Sequence, residues 1–165
     1  MNNNPLHKIG TWLFSLMLLI PCSGLAVPSG IGLQLSRIST GTIPTGSNVV
    51  LDTIIFSSGN ISYNSVTGVI TFNQPGRYVV NWTVAYQGVT DASSGAVLAI
   101  ATSQGDFLQG NSPAPNGQVV GSGILEVTTT PVTMSLVNSA GKLVLGSQVP
   151  VKATLTIVES VYVVG

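Results

Sequence analysis

Between Arg77 and Gln87 the chain alternates strictly: Tyr78, Val80, Trp82, Val84 and Tyr86 fall on one side, and Val79, Asn81, Thr83 and Ala85 on the other. Successive side chains of a strand point to opposite faces, whereas a helix gathers residues three and four apart. The segment is therefore expected to be a strand with its aromatic face in a core. Its second face still carries Val79 and Ala85 and is only partly suited to water. The same period recurs elsewhere. Ile61 and Tyr63 share a face, Ser65-Val66-Thr67-Gly68 supplies turn chemistry, and Val69 to Phe72 forms the returning strand. Gln74-Pro75-Gly76 reads as the turn of a second hairpin. Val132, Met134 and Leu136 alternate with Thr133, Ser135 and Val137; a turn is expected at Asn138 to Gly141, with Lys142 to Leu145 pairing back. Val151, Ala153, Leu155 and Ile157 align on one side, with Lys152, Thr154 and Thr156 turned the other way. Segments around Ile31 to Ile38, Ala96 to Ala101 and Val119 to Val127 complete about eight to ten strands. Gln104 to Gln118, with Pro113 and Pro115, is the longest unpatterned stretch and is expected to be a surface loop.

Beyond the first 26 residues no segment has helical periodicity with caps. Short β-branched strands separated by Gly, Pro and Asn turns specify an all-β protein, a sandwich or barrel, and about eight antiparallel strands favour a jelly roll. A chain of 165 residues has room for one such domain.

The N-terminus reads as an export signal. Met1 to Lys8 is polar and ends in a positive side chain, Ile9 to Ile20 is apolar, and Pro21 ends the run. Gly24 and Ala26 are small residues two apart, so cleavage is expected after Ala26, making 1–26 a signal peptide and 27–165 the jelly-roll domain. A membrane span needs about 20 apolar residues, more than this run offers, so no span is expected in the mature chain. Leu19-Ile20-Pro21-Cys22 approaches a lipoprotein pattern, but Pro21 stands where a small residue is required, and Cys22 is read as an ordinary residue of the signal.

Cleavage would remove His7 and Cys22, the only histidine and the only cysteine. Without them a Ser-His-Asp or Cys-His site, an imidazole or thiolate metal site and a disulfide are all excluded. No catalytic, cofactor-binding or metal-binding residue is assigned, and no enzyme activity is expected. Charged residues make up 6% of the chain against about 25% in ordinary domains. Loss of Lys8 would leave four basic against five acidic residues, a balance that does not attract nucleic acid. Asp52, Asp91, Asp106, Glu126 and Glu159 are scattered singly and read as turn or surface groups rather than a calcium site or a catalytic pair. Asn60-Ile61-Ser62 and Asn81-Trp82-Thr83 fit the glycosylation pattern, with Asn81 placed in a central strand. Trp82 and the tyrosines are expected in the core rather than against a sugar.

Ile61-Ser62-Tyr63-Asn64, Thr67-Gly68-Val69-Ile70-Thr71-Phe72, Pro75-Gly76-Arg77-Tyr78 and Asn81-Trp82 resemble, in that order, the central hairpins of the tumour necrosis factor and complement-head superfamily. Val132 to Gly141 followed by Ala153 to Ile157 is similar to the last strands of the C-terminal domain of BclA-type collagen-like glycoproteins of the bacterial spore surface. The resemblance spans roughly Ile31 to Glu159. It implies a jelly roll that associates as a homotrimer into a resistant surface particle. Gly-X-Y triplets, frequent in that family, are missing from this chain.

The expected function is that of a noncatalytic secreted protein, extracellular or on a cell envelope or spore surface, acting by trimeric self-association and display. One alternative is a recognition module binding a glycan or protein through its apical loops. Another is a fimbrial-type subunit, which would lack a strand supplied by its neighbour. The export reading has a direct test: N-terminal sequencing of the secreted form should begin at Val27, and Met1 retained in a membrane fraction would refute cleavage.

Overall fold

The computed structural model describes residues 30–90 and 95–160. The expected signal, His7, Cys22 and Asp91 lie outside the described residues. In chain order the strands are β1 (Gly32–Arg37), β2 (Gly41–Ile43), β3 (Thr53–Ser58), β4 (Ile61–Asn64), β5 (Val69–Phe72), β6 (Gly76–Tyr86) and β7 (Gly88–Thr90). They continue as β8 (Ala96–Thr102), β9 (Phe107–Ser112), β10 (Gly117–Val127), β11 (Val132–Ala140), β12 (Lys142–Leu145) and β13 (Ala153–Glu159). Two five-stranded antiparallel sheets, β10-β6-β13-β1-β3 and β4-β5-β11-β8-β9, form the sandwich, and a small third sheet, β2-β12-β7, joins them. The chain crosses repeatedly from one large sheet to the other, which makes the architecture a jelly roll. The sandwich itself accounts for ten strands, at the upper end of the expected range, and the three of the small sheet raise the total above it.

The alternation that defines β6 is realised along its length: Tyr78, Val80, Trp82, Val84 and Tyr86 are buried, and Asn81 between them is exposed. Leu33 and Leu35 of β1 and Leu155 and Ile157 of β13 extend this inner surface on the same sheet. Phe72, Leu98, Ile100, Met134 and Leu136 of the other sheet close onto it. Trp82 fills the middle. Its cross-strand partner on β10 is Gly121, and a Cβ at that position would overlap the indole ring. Glycine there lets the widest side chain of the core lie across its neighbour's backbone.

The β4–β5 hairpin forms as expected. Asn64 organises its turn: the side-chain oxygen accepts from the backbone N–H of Val66 at 2.9 Å and of Thr67 at 3.1 Å. Gly68 then adopts φ +75° and donates to the Asn64 carbonyl at 2.8 Å, a left-handed conformation that glycine takes without steric cost.

The structure corrects four sequence readings. Gln74-Pro75-Gly76 does not close a second hairpin, because β5 and β6 belong to opposite sheets. Pro75 has no N–H to donate to a ladder, and the segment instead carries the chain across the core. There the Phe72 and Tyr78 rings pack 4.7 Å apart, and the Tyr78 hydroxyl donates to the Gln74 carbonyl at 2.7 Å.

Lys142 to Leu145 does not pair with the preceding strand. Both edges of β11 are occupied, by β5 and β8, so β12 turns away and pairs with β2 and β7. The hinge is the buried Asn138, whose amide donates to the carbonyls of Ile43 and Gly141.

Gln104 to Gln118 is mostly not a loop. It contains β9, which pairs along β8 from Ala101↔Phe107 to Ala96↔Ser112, and the start of β10. After Phe107 and Leu108, β9 continues with Gln109, Gly110, Asn111 and Ser112 and has no β-branched residue to read; the ladder with β8 imposes its conformation.

Finally, Lys152 does not face solvent with Thr154 and Thr156. Alternation starts only at Ala153, Val151 is exposed, and Lys152 is buried with its Nζ donating to the carbonyls of Val149 at 2.6 Å and Pro150 at 3.1 Å.

The position of Trp82 leads to a stability test. Trp82→Ala should cost about 3–5 kcal/mol through lost contacts and an unfilled cavity, whereas Thr83→Ala on the other face should cost far less. Urea unfolding of the two variants measures the difference, and equal midpoints would contradict the facing described here.

Candidate interaction face

The outer face of β10-β6-β13-β1-β3 is built from the residues that alternate with the core. Across its strands Ile124 faces Val79 and Val79 faces Val158, with exposures of 63%, 36% and 51%. Gly32 follows in the same row, and the exposed Phe56 ring of β3 lies over it, 2.9 Å from where a Cβ would be. The next row is Ser122, Asn81, Thr156 and Gln34; beyond it come the exposed Val120, then Thr83 and Thr154. No charged side chain interrupts these rows. Arg77 and Glu126 pair at one end, 3.4 Å apart and both well exposed, a geometry worth no more than about 1 kcal/mol.

The strand β3 adds to this surface. Ile54, Ile55 and Phe56 are all more than half exposed, and β3 is an edge strand paired only with β1 among the described residues. Sequence reading missed it, although Thr53-Ile54-Ile55-Phe56 followed by Ser57-Ser58-Gly59 is a β-branched and aromatic run ending in turn residues. The other large sheet differs. Its outward positions include Ser62, Thr71, Thr133, Ser135 and Gln109, and Phe107 is the large exposed hydrophobic residue among its strands.

The carboxylates expected at turns and surfaces are dispersed and individually engaged. Asp52 accepts from the backbone N–H of Ile38 at 3.1 Å and Ser39 at 2.9 Å and from the Thr53 hydroxyl at 3.0 Å. Desolvation pushes its carboxyl up, but the hydrogen bonds from Ser39, Ile38 and Thr53 together outweigh this and hold it well below the usual range. Asp106 accepts from Thr102 and Gln104 in the β8–β9 turn. Glu126 meets Arg77, and Glu159 accepts from the Ile31 N–H at 3.0 Å. Among the described residues no three His, Cys, Asp or Glu side chains converge as metal ligands. Nor do the four described acids pair with one another: each is tied to its own loop or strand end.

Of the two glycosylation patterns, Asn60 lies in an exposed turn and donates to the Asn73 carbonyl. Asn81 is on β6, as expected, and exposed amid the uncharged face. Trp82, Tyr78 and Tyr86 are buried in the core. Among the described residues no helix is long and apolar enough to cross a membrane.

With this geometry in place, comparison with known proteins is informative for the fold. No family model matches the sequence, and no curated protein matches it significantly. Solved structures do. The globular domain of the zebrafish complement 1qA protein superimposes with a TM-score of 0.59 at 13% identity, over 77% of this chain and 94% of that one. An Eiger TNF from S. frugiperda gives 0.61 at 12% identity, over 81% and 94%, and murine APRIL gives 0.57 at 11%, over 79% and 99%. The chain thus has the jelly-roll fold of the tumour necrosis factor and complement C1q domains. At these identities the likeness concerns architecture alone.

Asp52 makes the fold acid-sensitive in a defined direction. Its folded pKa lies below the ordinary 3.8, so between the two values the unfolded chain binds more protons. The stabilisation is therefore complete above 3.8 and is lost as pH falls towards the folded value. Asp52→Asn should lower the urea midpoint near neutral pH and flatten the decline below about pH 4. An unchanged midpoint with unchanged acid dependence would show that these hydrogen bonds carry no net stability.

Proposed function

We propose that the chain is a noncatalytic, secreted or surface-attached module that acts by self-association as a homotrimer, displaying its loops and second sheet outward. The observation that carries this reading is the asymmetry between the sheets: one outer face exposes Val79, Val120, Ile124, Val158 and Phe56 without an intervening charge. The run from Ile124 through Val79 and Val158 to Phe56 is contiguous apolar surface, with Val120 one uncharged polar row away, and exposed apolar surface of this kind seeks a partner. A second copy is the partner always present, and cyclic closure covers the patch on every copy without leaving an open end. The three-fold order is what the resemblance of the 61–82 hairpins implies, and the jelly-roll fold accords with it.

The leader-like first 26 residues and the resemblance support placement outside the cell, on an envelope or spore surface. The noncatalytic part rests on side-chain chemistry. Asp52, Asp106 and Glu159 hold turns or strand ends by hydrogen bonds, and Glu126 pairs with Arg77 on the surface. The fimbrial alternative has little support, since β10-β6-β13-β1-β3 runs without a gap for a donated strand.

Light scattering on the purified mature chain at micromolar concentration is expected to give three times the monomer mass. Ile124→Lys, which places a charge at the most exposed position of the apolar row, should yield a folded monomer. A wild-type monomer would overturn the proposal. So would a trimer indifferent to Ile124→Lys, because the contact would then lie elsewhere.

A further inference from the structure

A cavity of about 280 Å³ opens where β6 and β10 leave the sandwich, against the segment that follows β12. Tyr86, Gln87, Asn116, Gln148 and Val149 are among its lining residues, together with Ala85 and two glycines, and none is charged. Among the described residues the side-chain amides of Gln87, Asn116 and Gln148 make no hydrogen bond to the rest of the chain. Some amides of the protein are engaged, as Asn48 donates to the Thr67 carbonyl, Gln104 to Asp106, and Asn138 to Ile43; those of the cavity are distinguished by lining one concave site.

The walls are anchored. The Tyr86 hydroxyl donates to the Ala114 carbonyl at 2.8 Å, the Gln87 N–H donates to the Val144 carbonyl at 2.8 Å, and Val89 donates to the Pro115 carbonyl at 3.1 Å. Gln87 reaches into the cavity by lying directly over Gly146, where any Cβ would overlap its carboxamide.

We infer that this cavity binds a neutral sugar ring. Each carboxamide offers two donors and an acceptor, the combination that matches hydroxyl groups able to give and take a hydrogen bond. Ala85 and the exposed Val149 supply apolar surface for the C–H face of the ring. The absence of charge from the lining disfavours phosphates, carboxylates and ammonium groups, which would be desolvated there without a partner. The volume suits one ring, since pockets for larger organic ligands run from about 300 to 1,000 Å³. The site lies within one chain, with Ala85 at the end of the outer face of β6, beyond the rows that carry Val79, Ile124, Val158 and Val120. A cavity lined by Gly32, Phe56 and Val158 lies instead on the proposed interface.

The test is NMR titration of the full mature chain with the methyl glycosides of glucose, galactose, mannose and N-acetylglucosamine, following side-chain amide signals. At least one glycoside should shift the Gln87, Asn116 and Gln148 signals saturably, with a dissociation constant on the order of 1 mM. A glucuronide carrying a carboxylate should not. Gln87→Ala should weaken binding at least about tenfold, the effect of losing one or two hydrogen bonds, with the thermal transition retained. If that variant fails to fold, Asn116→Ala on the exposed lip takes its place and should also weaken binding. No shift with any of the four glycosides would overturn the inference. So would shifts confined to other residues, binding that survives the carboxamide variants, or preferential binding of the glucuronide.

Discussion

The contact on which the rest of the sandwich depends is the indole of Trp82 lying across the backbone of β10 at Gly121. The backbone ladder fixes the spacing of β6 and β10, and the missing side chain at Gly121 lets the indole spread as a wide apolar plate over the inner face of both strands. Burying an indole removes 150–250 Å² from water, a gain of about 4–6 kcal/mol. The Nε1 proton has no partner among the described residues, which costs about 1–3 kcal/mol. The balance still favours burial. The remaining core residues of β6, β13 and β1 continue the surface that Trp82 begins, and Phe72 and Tyr78 lock the crossing between sheets at its lower end.

The same strands generate the interaction face, because a pleated strand cannot bury one side without presenting the other. In most antiparallel sheets that second side is solvated by charged residues. Here it holds valine, isoleucine, threonine, serine and amide side chains, and its charges are confined to the Arg77–Glu126 end. Core and interface are therefore two readouts of one alternating pattern.

The few charged residues near the core strands are used mostly as clasps. Arg37 donates to the carbonyls of Ser39, Thr40 and Val50, and Asp52 accepts from the two residues that follow Arg37. Between them they hold the long excursion from β1 to β3. Tyr63 pins it from the other sheet, exchanging hydrogen bonds of 2.8 Å with both the N–H and the carbonyl of Leu51. Burial pushes that phenol above its ordinary pKa, so it remains a donor. Lys152 performs a similar service for the segment before β13 by capping two carbonyls.

Alternation alone identified the all-β class, the inner faces of β6, β11 and β13 and the β4–β5 hairpin. Each of these is a local property of spacing or turn chemistry. Strand pairing is not local. Pro75 and Gly141 both look like hairpin turns, yet one crosses the core and the other leads to a third sheet, because the edges available to each strand depend on partners far away in sequence. The same holds for β9, whose residues 109–112 are polar or glycine and become a strand only because β8 offers an edge. It holds too for the cavity: Gln87, Asn116, Gly146 and Gln148 come from three separate segments with no shared motif. The sequence could specify which side of a strand prefers a core, since that follows from side-chain chemistry. Which strands meet, and which unpartnered amides converge, was decided only when the two sheets packed on each other.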